Sequence, residues 1–186
     1  MRLLLATRNA HKLREFERLL PSIGLDPLPE AVEMPPEDGD TYAANALIKA
    51  RHAAAATGRA AIADDSGIES EALGGRPGVR TARFAGEHAT DGENLAKLVA
   101  EAPAGSRLRY VCVIAHVAPD GAEHTFEGTC DGIVADKQCG EGGFGYDPIF
   151  IPVGDSRTMA ELTDADKDAI SHRGRAARAF EAWLSA

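Results

Sequence analysis

The chain begins with an unbroken apolar run, Leu3-Leu4-Leu5-Ala6, ended by Thr7-Arg8-Asn9. Leu13, Phe16, Leu19 and Leu20 then recur at helical spacing, so the pattern predicts a buried strand, a turn and a helix. Residues 21–40 hold five prolines and no steady period, which predicts a long connection that covers something or moves. An Ala-rich helix is expected over 41–57, with Asp40 or Thr41 as its N-cap.

Residues 60–63 read as a short apolar strand running into Asp64-Asp65-Ser66-Gly67, so a rigid element is expected to deliver carboxylates into a loop. Gly74-Gly75-Arg76-Pro77-Gly78 marks a turn. Residues 91–101 read as a short helix, and 109–117 and 123–130 as strands joined through Pro119-Asp120-Gly121, a hairpin connection. A glycine-dense loop follows over 140–148. The C-terminal segment is predicted helical, with Ile170, Ala177, Phe180 and Leu184 as its apolar stripe. Helices interleaved with a hairpin imply an α/β class with a mixed sheet.

Length and composition narrow the field. The 186 residues suit one domain, or two closely joined lobes, over 1–186. With 44% hydrophobic and 26% charged residues the chain is an ordinary globular one, neither disordered nor a disulfide scaffold. Twenty basic against twenty-nine acidic residues give a net charge of −9, a field that disfavours general nucleic-acid binding. Cys112, Cys130 and Cys139 show no CxxC spacing, so no zinc ribbon is expected and a reducing, cytoplasmic setting fits. No run approaches the ~20 apolar residues that span a bilayer, and no membrane partner is expected.

Four places hold candidate chemistry. At the first strand–helix turn, Thr7 or Asn9 caps a helix whose start is crowded by Arg8, His11, Lys12 and Arg14. Cations at the positive end of a helix dipole point either to an anion site or to a solvated basic face. Asp64-Asp65 suits a hard cation or a general base, or else an Asx-type turn before Gly67. If the strand persists, only one of the two faces a given site, and the other caps or braces the following turn. Gly140 to Gly145 matches GxGxxG formally, but Pro148 and Pro152 forbid the helix that a dinucleotide fingerprint needs. There Phe144 and Tyr146 either stack a base or pack into the core, and Asp147 can accept hydrogen bonds. Ser171 as an N-cap would start a new helix and put His172 and Arg173 in its first turn, close to Lys167.

In order, Leu5-Ala6-Thr7-Arg8-Asn9 with Lys12, Ala63-Asp64-Asp65-Ser66-Gly67, Gly74-Gly75-Arg76-Pro77-Gly78, Gly142-Gly143-Phe144-Gly145-Tyr146-Asp147-Pro148 and Ser171-His172-Arg173 resemble the inosine triphosphate pyrophosphatase family, the XTP/dITP diphosphatases. The resemblance spans nearly the whole chain. It implies an elongated, two-lobed α/β fold with a curved mixed sheet flanked by helices, a central cleft, a homodimer and Mg²⁺ dependence. It implies hydrolysis of ITP, dITP and XTP to monophosphate and pyrophosphate, which cleanses the nucleotide pool. By position, Thr7, Arg8, Asn9, Ala10, His11 and Lys12 resemble the triphosphate cradle. Asp65 resembles the residue that holds Mg²⁺ and activates water, Glu37 the second acidic metal position, and Ser66 a substrate contact. Phe144, Gly145, Tyr146 and Asp147 resemble the nucleoside-binding run, and Lys167, His172 and Arg173 the base and phosphate contacts.

Two positions depart from the family pattern. Arg8 stands where Gly is usual, and Ala44 where many members carry Glu. Ala44 either weakens the start of the helix begun by Thr41 or removes an acidic contact. Two rivals remain to be separated by assay: a nucleotide sensor without turnover, and a phosphatase releasing orthophosphate.

Overall fold

The computed structural model describes all residues, 1–186. Six strands, β1 (Arg2–Leu5), β2 (Gly24–Pro27), β3 (Ala61–Ser70), β4 (Arg107–Val117), β5 (Glu123–Val134) and β6 (Phe150–Pro152), pair in the order β2-β1-β3-β4-β5-β6. β1 runs parallel to β2 and to β3, while β5 and β6 are antiparallel, so the sheet is mixed as expected. Five helices complete the chain: α1 (Ala10–Leu19), α2 (Tyr42–Thr57), α3 (Asp91–Glu101), α4 (Asp164–Ile170) and α5 (His172–Leu184). No helix is long and apolar enough to cross a membrane.

The residues fall into two compact units. The first comprises 1–65, 112–128 and 173–186. In its core Leu3 and Leu5 of β1, Ile62 of β3 and Cys112 and Ile114 of β4 meet Phe16 and Leu20 from α1 and its C-cap, and Ala176, Ala177 and Phe180 of α5. Strand residues of this kind read as continuous apolar runs, which is why β1 was legible. The second unit comprises 66–111 and 129–172. Ile68, Leu95, Leu98, Tyr110, Tyr146, Phe150 and Met159 lie in its core.

Two expectations change. Asp64-Asp65-Ser66-Gly67 is not a loop, because β3 continues to Ser70. The connection 21–40 is not wholly irregular, since β2 forms an edge of the sheet within it, where Pro27 is tolerated. The C-terminal segment is helical as expected, and a new helix does start after Ser171, which is extended and separates α4 from α5. Likewise α3 has the expected bounds, fixed at its start by a capping box between Thr90 and Glu93. The glycine-rich loop leads into a short 3-10 turn at Asp147–Ile149 and then β6, so no helix follows it.

In the first unit His116 is buried, and its ring lies 5.2 Å from Trp183 and 6.0 Å from Phe180. Burial, and then His124, depress its pKa below the ordinary value near 6.5. The unfolded chain therefore binds a proton at higher pH than the folded one, so stability falls as pH drops below about 6.5. Urea midpoints across pH 5–8 should show this slope, and His116→Phe should flatten it; an equal slope in both proteins would place the titration elsewhere.

Candidate active site

At the β1–α1 turn Asn9 is the cap: its Oδ1 accepts from the amides of His11 at 2.9 Å and Lys12 at 3.2 Å. Thr7 braces it, its hydroxyl accepting from the Asn9 amide at 3.1 Å. No acidic residue occupies the first turn of α1, where Ala10 and His11 are exposed. Lys12 reaches inward, its Nζ 2.9 Å from Asp64. Arg14 lies 2.9 Å from the His11 ring nitrogen. Arg8 turns away from the helix start, donating to the carbonyls of Leu28, Pro29 and Val32 at 2.7, 2.6 and 2.7 Å.

Because β3 does not stop, Asp64 and Asp65 point to opposite faces of the strand. The expectation that one of them braces a turn is therefore corrected: there is no turn, and both are buried among polar partners in the first unit. Asp64 pairs with Lys12 and, at 3.4 Å, with Arg173, whose guanidinium also binds Glu15. Burial opposes the Asp64 charge, but Lys12, Arg173 and Lys49 outweigh it and hold the carboxyl well below its usual range. Nearby, burial and then Asp64 push the Cys112 thiol up to about 12, so this cysteine stays protonated.

Asp65 faces α2. Its Oδ2 accepts from Asn45 at 3.0 Å, and its Oδ1 lies 3.8 Å from the Lys49 ammonium. Asn45 in turn accepts from the Gly39 amide at 2.8 Å, and a Cβ on Gly39 would come within 2.7 Å of that same oxygen. Lys49 also binds Glu37, at 2.5 Å. Burial disfavours the ammonium, yet Asp64, Asp65 and Glu37 more than compensate and keep it charged. For Asp65 the balance is the reverse: burial raises its pKa more than Lys49 and the Asn45 hydrogen bond lower it. A buried, poorly stabilised carboxylate is a competent proton acceptor.

The second unit holds a separate polar cluster. Asp147 accepts from the Tyr110 hydroxyl at 3.1 Å, the Phe144 amide at 2.9 Å and the Lys167 ammonium at 2.7 Å. Gly143 has φ +68°, and a Cβ there would lie 2.0 Å from Asp147, so only glycine permits the loop to fold over the carboxylate. Lys167 lies 5.4 Å from the centre of the half-buried Phe144 ring, and the His172 ring stacks on Tyr110 at 4.5 Å. The Gly145 amide donates to Asp91 at 3.2 Å. Tyr146 is a core residue rather than an open stacking face: its hydroxyl donates to the Thr81 carbonyl at 2.8 Å and burial raises its pKa. Ser66 is half-buried on β3, directly after Asp65 in the chain.

Within the first unit, then, Lys12, Glu37, Asp64 and Asp65 join a network with three residues not expected from the sequence, Glu15, Asn45 and Lys49. One signal for two of them was present. Asn45 and Lys49 are spaced i,i+4, so they share a face of an otherwise Ala-rich helix, the face that α2 buries. Arg173 lies in this network.

The donors suit a divalent cation. Glu37 and Asp65 offer carboxylate oxygens, the preferred ligands of hard ions, and the Lys49 ammonium already supplies positive charge to both.

Comparison with known proteins gives a consistent result. A model of the Ham1 family matches residues 3–183. A dITP/XTP pyrophosphatase from Symbiobacterium thermophilum is 50% identical over 188 residues, 97% of this chain and 93% of that protein. Another, from Nocardia farcinica, is 48% identical over 189 residues, covering 95% and 91%. The solved structure of a HAM1 protein from Coxiella burnetii is similar with a TM-score of 0.89 at 40% identity, covering 100% of this chain and 98% of that one.

Proposed function

This chain belongs to the Ham1 family, and from that membership we propose that it is an enzyme hydrolysing noncanonical purine nucleoside triphosphates, ITP, dITP and XTP, to the monophosphate and pyrophosphate. The observation that carries the reading is the alternation of charge in the first unit, Lys12 on buried Asp64 and Lys49 on partly buried Glu37 and buried Asp65. Such a cluster is poised to exchange partners when a polyanion and a cation arrive together.

In this reading Lys12 and the N-terminal turn of α1 bind the triphosphate, with Thr7 and Asn9 fixing the turn. Asp65 accepts a proton from water at Oδ1, while Asn45 occupies Oδ2 and fixes the carboxylate plane. The water oxygen bonds to the α-phosphorus, and the bond from that phosphorus to the bridging oxygen breaks, releasing pyrophosphate. Lys49 and Lys12 offset the charge that develops on the phosphate oxygens. Glu37 and Asp65 would hold a divalent cation, proposed as Mg²⁺, which supplies further neutralisation of the phosphates. In the second unit Phe144 offers a ring for the purine to stack on, and Lys167 and His172 offer donors to a base bearing an oxygen at C6. We assign Arg173 to holding Asp64 and Glu15 rather than to the base.

The reading is tested by incubating the protein with ITP, XTP or ATP and Mg²⁺ while measuring pyrophosphate, orthophosphate and monophosphate together. Pyrophosphate and monophosphate in equal amounts are expected, with ATP the poorest substrate. Orthophosphate as the first product would mark a phosphatase, and tight binding without product a sensor.

A further inference from the structure

Arg8 occupies the phosphate-binding turn by sequence, yet its hydrogen bonds run elsewhere. Its Nη2 donates to two carbonyls, of Pro29 and Val32, and its Nη1 to a third, of Leu28. A guanidinium has five N–H donors, and each of its two bidentate edges includes Nη2. Both hydrogens of Nη2 are committed, so neither edge is left to grip a phosphate in the forked geometry that gives arginine its advantage over lysine. The three acceptors belong to one short stretch, and Glu37 follows Val32 by five residues. At its far end the same connection is tied to the other acidic position, since Gly39 donates to Asn45, which donates to Asp65.

We propose that Arg8 is a positioning residue, which straps residues 28–32 to the β1–α1 turn and so holds Glu37 at Lys49 and Asp65. The strap joins the turn that takes the triphosphate to the segment that takes the cation. Geometry, not charge, is what the strap needs: a lysine ammonium at this position keeps the charge but cannot reach three carbonyls in a planar fork. The link to metal binding rests on the functional reading above, while the strap itself does not.

Hydrogen exchange over residues 28–37 and the Mg²⁺ dependence of ITP hydrolysis, measured on the intact wild-type, Arg8→Lys and Arg8→Ala proteins, test the proposal. Both variants should exchange faster over this segment, by about tenfold or more for the loss of charge-assisted bonds. Both should also raise the half-saturating Mg²⁺ concentration by ~10-fold, the lower end of outer-shell effects, with KM for ITP at saturating Mg²⁺ little changed. A direct phosphate contact predicts the opposite: near-wild-type exchange, a raised KM, and substantial rescue by Arg8→Lys. That result would overturn the proposal, as would faster exchange with an unaltered Mg²⁺ requirement, which would reduce Arg8 to a loop anchor. Should the wild-type protein leave ITP intact, the functional reading fails instead, and exchange in Arg8→Ala still decides whether the strap exists.

Discussion

Asp65→Asn is expected to leave the protein folded while lowering kcat for ITP by about 10²–10⁴, the range for a positioned general base. The two halves of this expectation come from the same environment. Burial is the largest influence on Asp65 and raises its pKa, so the carboxylate charge at neutral pH costs stability rather than adding to it. Asparagine removes that charge, keeps an oxygen to accept from Asn45, and leaves Lys49 paired with Glu37. The urea midpoint at pH 7 should therefore stay level or rise as turnover collapses. A group kept at a cost to stability is what a working catalytic carboxylate looks like. A fall in both quantities would instead make Asp65 structural, and near-normal turnover at saturating Mg²⁺ would move the base to another residue.

What the sequence made legible follows from where local signals and tertiary forces agree. The helix α3 was readable to the residue because its capping box, its periodicity and its burial all specify the same ends. The hairpin of β4 and β5 was readable because the turn at 119–121 uses residues that tolerate it, with Gly121 at φ +89°. Asp64-Asp65-Ser66-Gly67 was misread because each residue favours turns, whereas pairing within a central strand of the sheet overrides that preference. Strand alternation then sends the two aspartates to opposite faces, as expected if the strand persisted. Glu15, Asn45 and Lys49 were not legible because a polar residue on a helix reads as solvated until its partner elsewhere in the chain is known. The partners of Arg8 were not legible: nothing in the sequence reports that carbonyls twenty or more residues onward take up its guanidinium.

Arg173→Ala should give the largest loss of stability of any single change at the site, about 3–5 kcal/mol. Arg173 is 2% exposed, at the start of α5, with its guanidinium on Glu15 and Asp64 and 5.8 Å from the centre of the Phe16 ring. Alanine removes the cation and leaves two buried carboxylates, one of them with Lys12 as its remaining close ion-pair partner. Such a loss is mostly the cost of uncompensated charge, not the net worth of the pair, and this can be separated experimentally. Replacing Glu15 and Arg173 together, by Leu and Met, should recover most of the stability that Arg173→Met loses alone, because an apolar pair of similar volume needs no desolvation. The pH dependence has a definite sign. In the wild type, Asp64 is held well below the ordinary carboxylate range, so its contribution is present above that range and lost as pH falls towards the depressed value. Without Arg173 the depression shrinks, and the deficit of the variant should narrow as pH falls through the ordinary carboxylate range. Catalysis supplies the last discrimination. If Arg173 works by fixing Asp64 and through it Lys12, the variant should lose kcat/KM for ITP and ATP by the same factor, measured below its unfolding temperature. A loss confined to ITP would place the guanidinium on the base.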